Sequence, residues 1–145
     1  MDVEIRPVDR TNWLQCVEMK VAPEQRGFVA SNAFSLAQAA YEPEMYPFAI
    51  YRGGEIVGFM MYGFDSEIGI WEMCRLMVDE KFQWQGIGQA AVRKLLKIAT
   101  ERLGHIVFYT SAKPDNIAAI CLYQKLGFKL NGRFVYEEVQ MEIQL

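Results

Sequence analysis

The sequence predicts a mixed α/β domain of the α+β kind, rich in antiparallel strand pairs, and three observations predict it. A chain of 145 residues, 52% of them hydrophobic, is long enough to bury one core and too short for two full domains. Strand-like alternation and helix-like spacing of apolar residues replace one another along the chain, with no repeat, low-complexity run or Pro/Ser-rich linker between them. The glycine pair Gly53-Gly54 joins two β-rich runs, as a tight hairpin requires. A single domain over residues 1–145 is expected.

Val3 to Val8 alternates apolar and polar like a half-buried strand, and Trp13, Leu14, Val17 and Val21 then recur at helical spacing. Ser31 or Asn32 caps a second helix through Phe34, Leu36, Ala37 and Ala40, which Pro43 ends, leaving Glu42 and Glu44 on a loop. Phe48–Arg52 and Glu55–Phe64 form the hairpin, and Ile68–Val78 is the next strand. Gly86 opens a helix with Ile87, Ala91, Leu95 and Ile98 on its apolar face and Arg93, Lys94, Lys97 and Glu101 outside; Gly104 stops it. Ile106–Ser111 is a buried strand, Pro114-Asp115-Asn116 starts a helix ending near Gly127, and Phe128–Phe134 and Tyr136–Leu145 close the chain as strands.

Net charge is -3, from 15 Lys plus Arg against 18 Asp plus Glu, which argues against a grip on nucleic acid phosphates. The charge is uneven: residues 1–80 carry 6 basic and 13 acidic groups, residues 81–145 carry 9 and 5. Cys16, Cys74 and Cys121 lie far apart with no CxxC or Cys/His spacing, so reduced, buried thiols and no metal are expected. No signal peptide or bilayer-spanning run is present, which predicts a cytoplasmic protein with no membrane partner.

The chemistry concentrates in Leu76-Met77-Val78-Asp79-Glu80-Lys81-Phe82-Gln83-Trp84-Gln85-Gly86-Ile87-Gly88-Gln89. A strand feeds a glycine turn that feeds a helix, so unpaired N–H groups and the positive end of the helix dipole meet at one place, the geometry that binds phosphate. Gly86-x-Gly88-x-x-Ala91 formally satisfies a dinucleotide fingerprint, but the acidic residue wanted about twenty positions on is absent. A nucleotide-binding P-loop fails for want of Gly-Lys-Ser/Thr.

Gln83-x-x-Gly86-x-Gly88 resembles the Q/R-x-x-G-x-G/A signature of the GNAT superfamily of N-acetyltransferases, and Asn116 with Leu122-Tyr123-Gln124-Lys125-Leu126-Gly127-Phe128 resembles its second hallmark segment. The resemblance runs from the first strand to the last and implies the GNAT acyl-CoA N-acyltransferase fold, a central, mostly antiparallel twisted sheet flanked by about four helices. It implies acetyl-CoA as co-substrate, with its pantetheine arm along Leu76, Met77 and Val78 and its diphosphate on Gln83, Trp84, Gln85, Gly86, Ile87, Gly88 and Gln89. Trp84 departs from the family, which often has Gly or a basic residue there. Asn116 reads as a helix N-cap by itself, while the family's asparagine contacts the pantetheine or phosphate region.

Tyr123 reads alone as a core aromatic; the resemblance makes it the general acid beside the thioester sulfur and a cofactor-binding residue. Proton donation from a phenol of pKa about 10 to a thiolate of about 8.5 is uphill by roughly 2 kcal/mol. The acceptor amine must attack uncharged, so a base is required. Strand periodicity places Glu72, Cys74 and Leu76 on one face, and glutamates at the position of Glu72 serve as base in many family members; a solvent-facing edge charge is the other reading.

Within the family, Ile56–Gly63 and Leu122–Gly132 resemble bacterial polyamine acetyltransferases of the spermidine/spermine type, which often carry an acid where this chain has Cys74. Glu24, Glu42, Glu44 and Glu72 are the acceptor-side candidates, since an acidic wall attracts a polycation. The predicted function is transfer of acetyl to a primary amine of a small molecule by direct attack. Other acceptors (an aminoglycoside, an amino acid, a protein N-terminus) or a silent acyl-CoA sensor are the alternatives. The last strand, with Tyr136, Val139, Met141 and Ile143, is a candidate edge for a twin subunit, homodimers being common in the family.

Overall fold

In the computed structural model, which describes residues 2–145, the chain runs β1 (Val3–Pro7), α1 (Trp13–Glu18), α2 (Asn32–Tyr41), β2 (Met45–Arg52), β3 (Glu55–Asp65), β4 (Ile70–Val78), α3 (Ile87–Leu103), β5 (Val107–Ala112), α4 (Ile117–Lys125), β6 (Lys129–Val135) and β7 (Glu138–Gln144). One sheet holds all seven strands in the order β1-β2-β3-β4-β5-β7-β6. Every pairing is antiparallel except β4 with β5.

The local signals act as predicted. Gly53 and Gly54 both take positive φ, 58° and 84°, the conformation the β2–β3 turn demands. The Ser31 hydroxyl accepts from the Phe34 N–H at 3.1 Å and caps α2. α1 is shorter than the apolar spacing predicts and leaves out Val21. β4 starts at Ile70 rather than Ile68, because Asp65 closes a turn by accepting from the N–H groups of Glu67 and Gly69.

The helices cover both faces. On one, α3 and α4 bury Ile87, Ala91, Leu95 and Tyr123 against Met60, Tyr62, Met73 and Phe108. On the other, α1 and α2 pack Cys16 and Leu36 against Phe59, Met61 and Met77. Cys121 is exposed on α4 and Cys74 is half-buried on β4, a correction to the expectation of three buried thiols; Cys16 alone is buried. β7 lies between β5 and β6, so both its edges are taken by the chain's own sheet, and the strand proposed as a twin-subunit edge is interior. Among the described residues no helix is long and apolar enough to cross a membrane.

Candidate active site

β4 and β5 run parallel and pair only at Glu72 with Tyr109 and Met73 with Thr110. Thr110 Oγ1 donates to the Met73 carbonyl at 3.0 Å, and beyond this point the strands part. The parting opens a cleft of about 1030 Å³, walled by β4, the end of β5, the start of α3 and the first two turns of α4, and continuing past α2 and the β3–β4 turn. The β4 residues from Cys74 to Val78 have no partner strand on the β5 side.

The loop from β4 to α3 is held by its own side chains. The Asp79 carboxylate, buried, accepts from the N–H groups of Lys20 and Lys81 at 3.3 and 3.1 Å. The Gln83 amide donates to Gln25 at 2.6 Å and to the Val78 carbonyl at 3.0 Å, so this side chain braces the loop. Trp84 is 85% exposed with φ at 64°, and Gln85 is tied to Arg52. Gly86, with φ at 79°, turns the chain into the 17-residue α3 through a conformation that costs other residues roughly 1 kcal/mol. No side chain caps α3, and its first bond runs from Ala90 N–H to Gly86 carbonyl, so the N–H groups of Ile87, Gly88 and Gln89 have no partner within the helix. Gln83, Trp84, Gly86, Ile87 and Gly88 line the cleft, as do Leu76, Met77 and Val78; Gln85 and Gln89 do not.

On the opposite wall, Asn116 Oδ1 accepts from the Ala119 N–H at 3.3 Å, the cap seen as one reading of this residue, and Asn116 also faces the cleft. One α4 face further on, Tyr123 is buried with its ring 5.8 Å from that of Phe128 and borders the cleft at the point of parting. Burial pushes its phenol up to about 12, against a smaller pull downward from the Thr110 hydroxyl.

Glu72 stands in the cleft where β4 and β5 last pair. Burial first, then the nearby Asp65, raises its carboxyl to about 7; Arg75 opposes this and Glu138 reinforces it. The expected alternation does not hold past it. Met73 opposes Tyr62 and Arg75 opposes Met61, which leaves Cys74 as the extra residue of a β-bulge. The bulge moves Leu76 to the α3 face beside Met60 and Met73, while Cys74 packs on the α2 face, so Glu72, Cys74 and Leu76 do not share one face. Arg75, which the sequence reading passed over, takes the place on Glu72's face.

Beyond Glu72 the cleft is acidic. Glu42 and Glu44 line it after α2, Asp65 and Glu67 from the β3–β4 turn, and Glu138 from β7, against Arg75 and Lys113. Tyr136 donates to Glu67 at 3.0 Å and Ser111 to Glu138 at 2.7 Å, joining the two arms of the sheet around the opening. Glu24 lies in the short turn Pro23–Gln25 and is not in the cleft wall. Glu138 and Tyr136 reach the site through the β5–β7 pairing, a long-range contact with no local sequence signal. Among the described residues no three His, Cys, Asp or Glu side chains are arranged to hold a metal ion.

The sequence model of the Acetyltransferase (GNAT) family matches residues 8–128. Spermine/spermidine N(1)-acetyltransferase of Bacillus subtilis is 30% identical over 138 residues, covering 91% of each chain. Among solved structures, the PaiA N-acetyltransferase from Thermoplasma acidophilum in complex with coenzyme A superposes with a TM-score of 0.74 at 15% identity, covering 100% of both chains. Aminoglycoside acetyltransferase AAC(6')-Ib in complex with coenzyme A does so with a TM-score of 0.80 at 17% identity, covering 99% of this chain and 95% of that one.

Proposed function

Since the chain belongs to the GNAT family of acetyltransferases and is an N-acetyltransferase, we propose that it transfers acetyl from acetyl-CoA to a primary amine of a polyamine such as spermidine or spermine. One observation carries the reading: β4 parts from β5 directly after Met73 and Thr110, leaving a free strand edge between the uncapped start of α3 and the phenol of Tyr123. That arrangement suits the chemistry of acetyl-CoA. A pantetheine arm carries amide groups that a free β-edge pairs with, and the N–H groups of Ile87 and Gly88, which line the cleft at a helix N-terminus, suit a diphosphate. Asn116 and Leu76 to Val78, which line the same cleft, would hold the arm.

Acetyl-CoA supplies the thioester carbonyl that the amine attacks. The chain's own residues manage protons and charge. With its carboxyl near 7, Glu72 is ionised in about half the molecules at neutral pH and takes a proton from the incoming ammonium, the balance a general base needs. Tyr123, near 12, stays protonated at working pH. Full transfer of its proton to a thiolate of about 8.5 is uphill by about 5 kcal/mol, more than for an ordinary phenol, so it acts by hydrogen bonding to sulfur as charge develops.

The acceptor class is supported by the Bacillus subtilis relative and by the surplus of carboxylates beyond Glu72, which favours an amine with further positive charges along its length. The test is release of free CoA thiol with spermine, spermidine, putrescine, an aminoglycoside, free amino acids and a peptide with a free N-terminus. The reading expects spermidine or spermine to have the highest kcat/KM; preference for the aminoglycoside or peptide overturns the polyamine assignment.

A further inference from the structure

A hydrogen-bond network outside the acetyl-transfer chemistry converges on Arg75. Its Nε donates to Ser35 Oγ at 3.0 Å, Nη2 to Gln38 Oε1 at 3.0 Å and Nη1 to its neighbour's carbonyl at Cys74 at 2.9 Å, with the Phe34 ring 6.0 Å below the guanidinium. Ser35 is fully buried and its hydroxyl donates to the Ser31 carbonyl at 3.1 Å, so its oxygen is free to accept from Arg75. Three of the guanidinium's five N–H groups, one on each nitrogen, are thus bonded within the protein, which fixes the side chain between β4 and α2 and makes its role one of placement.

The network continues. Once Arg75 holds the oxygen of the Gln38 amide, the nitrogen of that amide faces the other way and donates to Glu42 Oε2 at 3.2 Å. An amide has one donor end and one acceptor end. Turned over, Gln38 would set its oxygen against the Glu42 carboxylate and its N–H₂ against a guanidinium, both repulsive. The bulge at Cys74 makes this possible: on a regular strand the side chain of residue 75 points to the face opposite Glu72, toward α3, and α2 is out of reach.

We propose that Arg75 is the positioning residue of the acceptor wall: it ties α2 to the strand that carries Glu72 and, through Gln38, sets where the Glu42 carboxylate stands in the cleft. The acceptor half of this statement rests on the polyamine reading above. The charged groups that face Glu72 are Arg75 on its own strand, Asp65 at the end of β3 and Glu138 on β7, so Arg75 is the cation that offsets two carboxylates there.

Three variants test it. Arg75→Gln removes charge and fork; Arg75→Lys keeps the charge but does not span Ser35 and Gln38 together; Gln38→Leu leaves Arg75 in place and cuts the link to Glu42. KM for spermidine rises about 3- to 10-fold in all three. Hydrogen exchange of the α2 amides quickens in both Arg75 variants. The titration midpoint of Glu72, read by 13C NMR on protein labelled at glutamate and free of ligand, climbs by about one pH unit in Arg75→Gln and stays put in Gln38→Leu. Unchanged α2 exchange and an unmoved Glu72 midpoint in Arg75→Gln overturn the proposal, as does a wild-type KM in Gln38→Leu. The exchange and NMR readings need no acceptor, so a wild-type enzyme that acetylates no polyamine removes the proposed acceptor while these two readings still decide the role of Arg75.

Discussion

Thr110 closes the gap between β4 and β5 with a single side chain: its hydroxyl donates to the Met73 carbonyl at 3.0 Å, and both residues are buried. Past this bond the strands diverge into the cleft, so one hydrogen bond marks where the sheet ends as a sheet and begins as a site.

Replacing Thr110 by Val, which is the same size and lacks the hydroxyl, strands the Met73 carbonyl and removes the polar neighbour of Tyr123. A loss of about 1–3 kcal/mol in urea denaturation is expected, with a fall in kcat. An unchanged midpoint shows that the bond does not hold the parting point.

Tyr123→Phe keeps the ring against Phe128 and removes the hydroxyl. We expect kcat to fall about 10²- to 10⁴-fold with CoA affinity by calorimetry nearly intact. With its phenol near 12, Tyr123 predicts no fall in the wild-type rate with pH below about 10 from its own ionisation.

Glu72 makes two predictions of defined sign. If it is the base, kcat/KM rises with pH through about 7, and Glu72→Gln loses that limb along with most of the rate. Its carboxyl is raised on folding from 4.5 to about 7, so the stability it contributes is complete below 4.5 and is lost as pH climbs through 7. Glu72→Gln is therefore more stable than wild type at pH 8, by about 3 kcal/mol, and the difference shrinks toward pH 4. A difference in Tm that is flat with pH contradicts the burial assigned to this side chain.

Gly88→Asp separates fold from ligand. A Cβ at Gly88 meets only the Leu122 and Val78 side chains, at 3.5 and 3.9 Å, ordinary contact distances. A carboxylate in the first turn of α3 favours the helix dipole and repels a diphosphate. Tm should hold or rise while CoA affinity drops at least about tenfold; parallel loss of both would place the diphosphate elsewhere.

Glu42→Gln with Glu44→Gln should raise KM for spermidine more than Glu24→Gln does, and the effect should fade with added salt, since all three are exposed and only the first two line the cleft. Equal effects from the pair and from Glu24→Gln argue for a diffuse field rather than contact.

Most elements were legible because their signals are local. Ser31 caps, Gly53-Gly54 turns, Gly86 starts α3 and Gly104 ends it through the backbone of a few consecutive residues, and each acts in the structure as the sequence predicts. The glycine motif of residues 83–88 was legible for the same reason, and with it the family. The face of Leu76 was not, since a period of two persists only while both strands advance one residue at a time, and the extra residue at Cys74 exists only relative to Met61 and Tyr62 on β3.

By itself, then, the sequence determined the order of strands and helices, the phosphate-type turn before α3 and the acetyltransferase family, all written in spacings of a few residues. Tertiary structure alone decided which residues meet. It set β7 inside the sheet, brought Glu138 and Tyr136 of the basic half to Glu67 and Glu72 of the acidic half, and put Arg75 beside Glu72. Strand pairing and bulges are relations between distant segments, and the energy that selects them is burial and hydrogen bonding summed over the whole sheet, which no window of the sequence contains.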